Sequence, residues 1–187
     1  NGPEYHGAAP FQFTAPVVVT SVTPATGYVS GGTLVSVHGS GFAFAPSLVC
    51  RFQHTIVAAT YVSPTLVQCA APDMTAASSQ ALPVSVPVTV TVNGVDFSAA
   101  QSSTEFTFVS PPTVRTVSPA TGSSTSGTTV TVTGEHLAPS TESGLAVPRC
   151  YFGDVESPEV EVVAADVLRC KVPPPATASA VSTAVSV

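Results

Sequence analysis

Tryptophan is absent from this 187-residue chain, lysine, isoleucine and methionine occur once each, and only 9% of the residues are charged. Five basic residues stand against eleven acidic ones, a formal net charge of -6. That balance argues against the cationic surface by which proteins hold nucleic-acid phosphates. Long apolar runs are missing too: stretches such as Pro16 to Val19 last a few residues, whereas a bilayer-spanning helix needs roughly 20. No membrane span is therefore expected in this segment. The opening residues, Asn1-Gly2-Pro3-Glu4-Tyr5, have neither the basic nor the apolar region of a secretory signal, so any such signal is expected to have been removed or to lie upstream. Neither asparagine begins an Asn-x-Ser/Thr sequon, because Asn1 precedes Gly2-Pro3 and Asn93 precedes Gly94-Val95. Catalytic signatures are equally scarce. No serine occupies a Gly-x-Ser-x-Gly elbow and no phosphate-binding glycine loop occurs. His6, His38, His54 and His136 are scattered, without the neighbouring partner a general base needs. Neither an enzyme nor a cofactor is expected.

What the chain has is valine, 32 residues of it, with 24 alanines, 18 prolines and 13 glycines. Branched side chains favour pleated strands over helices, and all-β is the resulting expectation. Comparison of the chain with itself then finds a repeat. Val22-Thr23-Pro24-Ala25-Thr26-Gly27, followed by Gly32-Thr33 and Val35-Ser36-Val37-His38-Gly39, returns 95 positions later as Val117-Ser118-Pro119-Ala120-Thr121-Gly122, Gly127-Thr128 and Val130-Thr131-Val132-Thr133-Gly134. Cys50-Arg51-Phe52 returns as Cys150-Tyr151-Phe152, and Cys69 as Cys170, so the cysteines lie 19 apart in one copy and 20 in the other.

The same offset relates Phe11-Gln12-Phe13 to Phe106-Thr107-Phe108, and Val181 to Val187 matches the alternating strand from Val84 to Val92. The expected organisation is the end of a preceding repeat over 1–15, a complete repeat over 16–110, and over 111–187 a repeat lacking its last strand or strands. The chain thus reads as a window on a longer array. Short β segments are predicted at 17–22, 33–39, 48–53, 56–62, 66–70, 84–92 and 105–109. Pro24-Ala25-Thr26-Gly27 and its copy read as tight turns with a left-handed glycine, and Asn93-Gly94 as a two-residue hairpin. Alternation of Val84, Val86, Val88, Val90 and Val92 with polar residues predicts one buried face, and Pro87 is expected on an unpaired edge or at a bulge. Seven strands in such a unit predict tandem immunoglobulin-like β-sandwiches set end to end. The joint Ser110-Pro111-Pro112-Thr113 is short and stiff, which favours a rod.

The matched cysteines point to the pairs Cys50 with Cys69 and Cys150 with Cys170; buried free thiols and zinc are the rivals, zinc without a Cys-x-x-Cys to support it. Paired cysteines imply an oxidising compartment.

Val22, Pro24, Gly27, Gly31, Gly32, Thr33, Val35, Val37, Gly39, Phe42, Cys50, Phe52, Cys69, Pro72, Phe106 and Phe108 form a pattern. It resembles the IPT/TIG domains, immunoglobulin-like folds known from plexins and certain transcription factors. The second copy departs from it at Ser126 and Leu137, in place of a glycine and a phenylalanine. The resemblance implies a secreted or cell-surface protein, in agreement with the cysteines.

Other features admit two readings. Phe42, Phe44, Phe52, Phe106 and Phe108 are predicted core. Tyr28 sits in a predicted turn opposite Ser123 in the repeat and is the aromatic chosen for glycan contact. Asp154, Glu156, Glu159, Glu161 and Asp166 crowd into thirteen positions, but without the alternating loop of a calcium site they read as a solvated strand face, and no metal is assigned. Pro111, Pro112, Pro173, Pro174 and Pro175 mark stiff connections or an O-glycosylated, hydroxyproline-bearing region.

The reading these features support is a non-enzymatic structural or adhesive segment of an extracellular or cell-surface protein, glycosylated and filament-forming, its IPT-like units acting as spacers and interaction modules. Its partners are then neighbouring repeats, other copies or other extracellular proteins, and glycans. The alternatives are a ligand- or carbohydrate-recognition ectodomain and, against the charge, an intracellular DNA-binding domain.

Overall fold

The computed structural model describes residues 15–75, 82–122, 127–138, 148–174 and 185–186. The Phe11-Gln12-Phe13 segment, His6, Pro175 and most of the last strand proposed from Val181 lie outside them. Among the described residues there is no α-helix.

In the first unit, β1 (Val18–Thr23), β2 (Thr26–Tyr28), β3 (Leu34–Ser40), β4 (Val49–Phe52), β5 (Thr55–Ser63), β6 (Leu66–Ala70), β7 (Val84–Thr91) and β8 (Glu105–Val109) join in the order β1-β3-β6-β5-β4-β7-β8-β2. One strand makes this a sandwich: β5 pairs through Thr55–Ala58 with β4 and through Ala59–Ser63 with β6, so it passes from one layer to the other. Alternate residues of each layer point inward. Val35, Val37, Val67 and Cys69 meet Cys50, Phe52, Val86, Val88, Val90, Phe106 and Phe108 in one core. Phe52, Phe106 and Phe108 contact one another edge to face, with centroids 5.0 to 6.4 Å apart.

The second unit repeats this plan. β9 (Thr113–Ser118), β10 (Thr129–Glu135), β13 (Val160–Ala164) and β14 (Val167–Lys171) form a sheet ordered β13-β14-β10-β9; β11 (Tyr151–Phe152), β12 (Val155–Glu156) and β15 (Val185–Ser186) form one ordered β12-β11-β15. Val185 faces Phe152 as Val88 faces Phe52, so β15 occupies the place of β7.

Two details explain motif residues. Each first strand carries a bulge, at Thr20 in β1 and Arg115 in β9, where the register skips one residue. Beside the bulge a Cβ on Gly39 would overlap the Val18 carbonyl oxygen, and one on Gly134 the Thr113 carbonyl oxygen. The glycine of Val-x-Val-x-Gly is therefore fixed by the close approach of the edge strand. The second detail is the unequal cysteine spacing. Ser157 donates its backbone N–H to Cys150 as the counterpart of Val57, which faces Cys50, while Val160 faces Cys170 as Ala59 faces Cys69. Pro158 and Glu159 thus replace the single Ala58, and that insertion splits β5 into β12 and β13.

Several expectations are corrected. Gly27 is not left-handed; it lies in β2, which pairs in parallel with β8, and a Cβ there would come 2.7 Å from Phe106 Cζ. The equivalent Gly122 is likewise not left-handed, and Thr128 crowds its Cβ position. Tyr28 belongs to that strand rather than to a turn. Asn93-Gly94 does turn the chain, with Gly94 at φ 78°, yet the next strand starts at Glu105, so the two-residue hairpin is absent. Pro87 is on neither an edge nor a bulge. It is the last residue of β7 paired with β8, and from Val88 onward the pairing is with β4, so its missing N–H falls where the partner changes. Phe44 is not core: it is 85% exposed, its ring edge to face with Tyr61.

Candidate interaction surface

The cysteines sit where the layers are tied. Cys50 on β4 is bonded to Cys69 on β6, and Cys150, immediately before β11, to Cys170 on β14, with Cα separations of 6.4 and 6.3 Å. All four are buried, and among the described residues no cysteine is free. Each bridge joins the two strands that flank the layer-crossing segment, so it holds the sandwich shut at the point where one strand changes sheets.

The outward faces differ by unit. On the β1-β3-β6-β5 layer one row reads Thr23, Ser36, Gln68, Thr60. The equivalent row of the second unit reads Ser118, Thr131, Arg169, Glu161. There Arg169 meets Glu161 at 3.5 Å, Lys171 meets Glu159 at 3.4 Å, Arg149 meets Glu156 at 3.1 Å and Arg115 meets Glu135. Three of the five clustered carboxylates are thus engaged by cations. Among the described residues no three ligating side chains converge on a metal position.

On the other layer of the first unit, the rows on the side away from the core read Ile56, Arg51, Thr89 and Ala58, Val49, Thr91, of which Thr89 and Thr91 are buried. Local chemistry adds an aromatic. Asn93 Oδ1 accepts the N–H groups of Val95 and Asp96 at 3.0 and 2.8 Å, while Thr91 Oγ1 accepts that of Gly94 at 3.1 Å, closing a turn. Ser98 is then pinned to β7, donating its N–H to the Val90 carbonyl at 2.9 Å and accepting the Val90 N–H on its hydroxyl at 3.1 Å. Phe97, one residue earlier, is delivered beneath Arg51, whose Cζ lies 3.9 Å from the ring centroid and whose Nε–H donates to Thr89 Oγ1 at 3.3 Å. Sequence reasoning did not find this cluster. Its one signal was that Arg51 is the sole cation between residues 16 and 110.

The remaining predicted residues are dispersed. Tyr28 is 40% exposed on the edge strand β2. Pro111 and Pro112 lie between β8 and β9, Pro111 exposed and Pro112 half-buried; Pro173 and Pro174 follow β14. His38 is exposed on β3, and His54 and His136 are exposed beside turns. Nothing brings these side chains together into one site.

Two disulfide-tied sandwiches in tandem, with one alternating pattern and one strand order, define an immunoglobulin-like repeat protein. The model of the IPT/TIG domain matches residues 16–109 and again 112–187. The chain belongs to the IPT/TIG domain family. Among solved structures it is similar to the full extracellular region of plexin A4, domains 1 to 10, with 24% identity and a TM-score of 0.51 over 84% of this chain and 12% of that one. A second plexin A4 extracellular structure, domains 1 to 8, is matched at 18% identity and TM-score 0.43, over 83% of this chain and 15% of that one. A Bacteroides ovatus mixed-linkage glucan utilization protein, SGBP-B, solved with a heptasaccharide, is matched at 11% identity and TM-score 0.34, over 80% of this chain and 35% of that one. These likenesses bear on the fold alone, and the last two are too distant to carry an argument. No curated protein matches the sequence.

Proposed function

We propose that this chain is a non-enzymatic structural and adhesive segment of an extracellular or cell-surface protein, its IPT/TIG units serving as rigid spacers and as protein-interaction modules. The observation that carries the reading is the pair of buried bridges, one per unit at the same place in the fold. Disulfides persist in oxidising compartments and are rare in the cytosol. The units are taken to run over 16–110 and 111–187, set end to end through Pro111 and Pro112. The same prolines and Pro173, Pro174 and Pro175 are taken as the region to carry O-linked sugar.

A DNA-binding role is opposed by the pairing of four of the five cations with glutamates. The carbohydrate-recognition reading keeps one observation in its favour, the exposed rings of Tyr28 and Phe44.

The test is intact mass of the native protein after alkylation, with and without prior reduction. Four alkyl groups gained only after reduction, with sugar-sized increments above the polypeptide mass, support an extracellular glycoprotein. Thiols that alkylate without reduction overturn the reading.

A further inference from the structure

Each cation of the second unit faces a glutamate, and Arg51 does not. Among the described residues no carboxylate lies within ion-pair distance of it, and of its five N–H donors one is used, on Thr89. Of the first unit's three acids, two have local partners: Asp96 accepts from Asn93 Nδ2 at 2.8 Å, and Asp73 accepts from the Thr75 N–H and hydroxyl. Phe97 below and Thr89 beside it hold the guanidinium in place. Little side-chain freedom is left to lose when a carboxylate arrives. Around the fork lie Val49, Ala58 and Ile56, the last 58% exposed. A fixed arginine set among apolar and aromatic side chains is the kind of anchor that dominates protein interfaces.

The second unit carries the complement at corresponding positions. The tip of the β4/β5 hairpin presents His54; the matching tip of the β11/β12 hairpin presents Asp154, after a Gly153 at φ 62°. Asp154 is exposed, has no cation within ion-pair distance among the described residues, and is followed by Val155, 50% exposed. An acid next to an uncovered valine on a two-strand tip matches an arginine next to an uncovered isoleucine on a flat sheet.

We propose that the outward β4/β5 face of the first unit, at Arg51 and Ile56, receives the β11/β12 tip of the second unit of another copy of this chain, with Asp154 on Arg51 and Val155 against Ile56. Because receiver and donor lie on different units, a single contact leaves one receiver and one donor free, and these either take up further copies head to tail or close on each other as a reciprocal pair. The proposal deepens the adhesive reading and rests on it, yet the mass experiment above can succeed while this one fails.

Sedimentation of the full chain over a range of concentration tests it. A contact of this size is weak singly, with Kd on the order of 0.1 mM, and self-association is expected as concentration rises. Arg51→Glu and Asp154→Arg each weaken association at least about tenfold. The double exchange regains association above either single change, and equimolar mixing of the two single variants yields mixed pairs. Asp166→Arg, at the other exposed hairpin, leaves it unchanged. A chain that stays monomeric, or whose association ignores Asp154→Arg, overturns the proposal. Asp154 is exposed on a turn, so that variant remains informative even if Arg51→Glu unfolds.

Discussion

The two units share a sequence pattern, a strand order, a bulge and a buried disulfide, and they solve their solvated faces in opposite ways. The first unit has four charged residues between 16 and 110, Arg51, Asp73, Asp96 and Glu105, and covers its sheets with hydroxyls, amides and small apolar groups. The second has eleven between 111 and 187 and stitches neighbouring strands with Arg–Glu and Lys–Glu pairs. Inward positions change only among apolar residues, as from Phe42 to Leu137 and from Val67 to Leu168, because the core is packed and takes no charge. Outward positions can. What the difference teaches is that the fold is held by the inward half of each strand, while the outward half is left free to diverge between units.

If that division holds, changes at shared inward or close-approach positions should hurt both units alike. Gly39→Ala and Gly134→Ala place a methyl against the Val18 and Thr113 carbonyl oxygens. Each is expected to cost about 3 kcal/mol, since backbone rather than a flexible side chain must move. Calorimetry should show one of two transitions lowered by each variant, by comparable amounts. A large loss from one variant and none from the other would mean that the two bulges are not equivalent.

The next effect is smaller and belongs to one unit. Ser157 is buried, and its hydroxyl lies 2.7 Å from the Glu159 carbonyl oxygen and 2.8 Å from that of Lys171. It therefore serves the backbone where Pro158 interrupts the strand. Ser157→Ala removes the hydroxyl donor from both carbonyls, although that of Glu159 still accepts the Lys171 N–H, and is expected to cost about 1 kcal/mol, measured by urea unfolding. The reciprocal Val57→Ser in the continuous β5 should destabilise the first unit, because no interrupted strand there needs the hydroxyl.

Much of this was legible in the sequence, and the failures have a common cause. The strands at 33–39, 66–70 and 105–109 were readable because alternation of valine, cysteine and phenylalanine is a local signal. β2 was not, since Pro24-Ala25-Thr26-Gly27 has the composition of a turn and becomes a strand only through parallel pairing of Thr26 with Thr107, far along the chain. Phe42 and Phe44 look alike in sequence; one is 4% exposed and the other 85%, and what separates them is the course of the loop after Gly41. The Arg51 and Phe97 contact was hidden for the same reason: it needs the Asn93 turn and the Ser98 anchor to bring two distant residues together. Local pattern carried the fold, and nonlocal register decided the surface.

The smallest predicted effect separates the outward faces directly. The ion pairs of the second unit are exposed, with side chains 46 to 72% accessible, so salt should screen them and each contributes only a few tenths of a kcal/mol. Arg169→Gln is expected to cost about 0.5 kcal/mol at low ionic strength, because it removes a cross-strand partner of Glu161 and leaves the glutamate in water. In high salt that cost should fall toward zero. Gln68→Ala, at the equivalent position of the first unit, should show no salt dependence, since its row neighbours Thr60 and Ser36 carry no charge. Unfolding of both variants at two ionic strengths reads the difference. A salt-dependent Gln68 variant would show that the first unit's face is governed by charge after all, and would reassign Arg51 from a contact point to a part of that unit's own electrostatics.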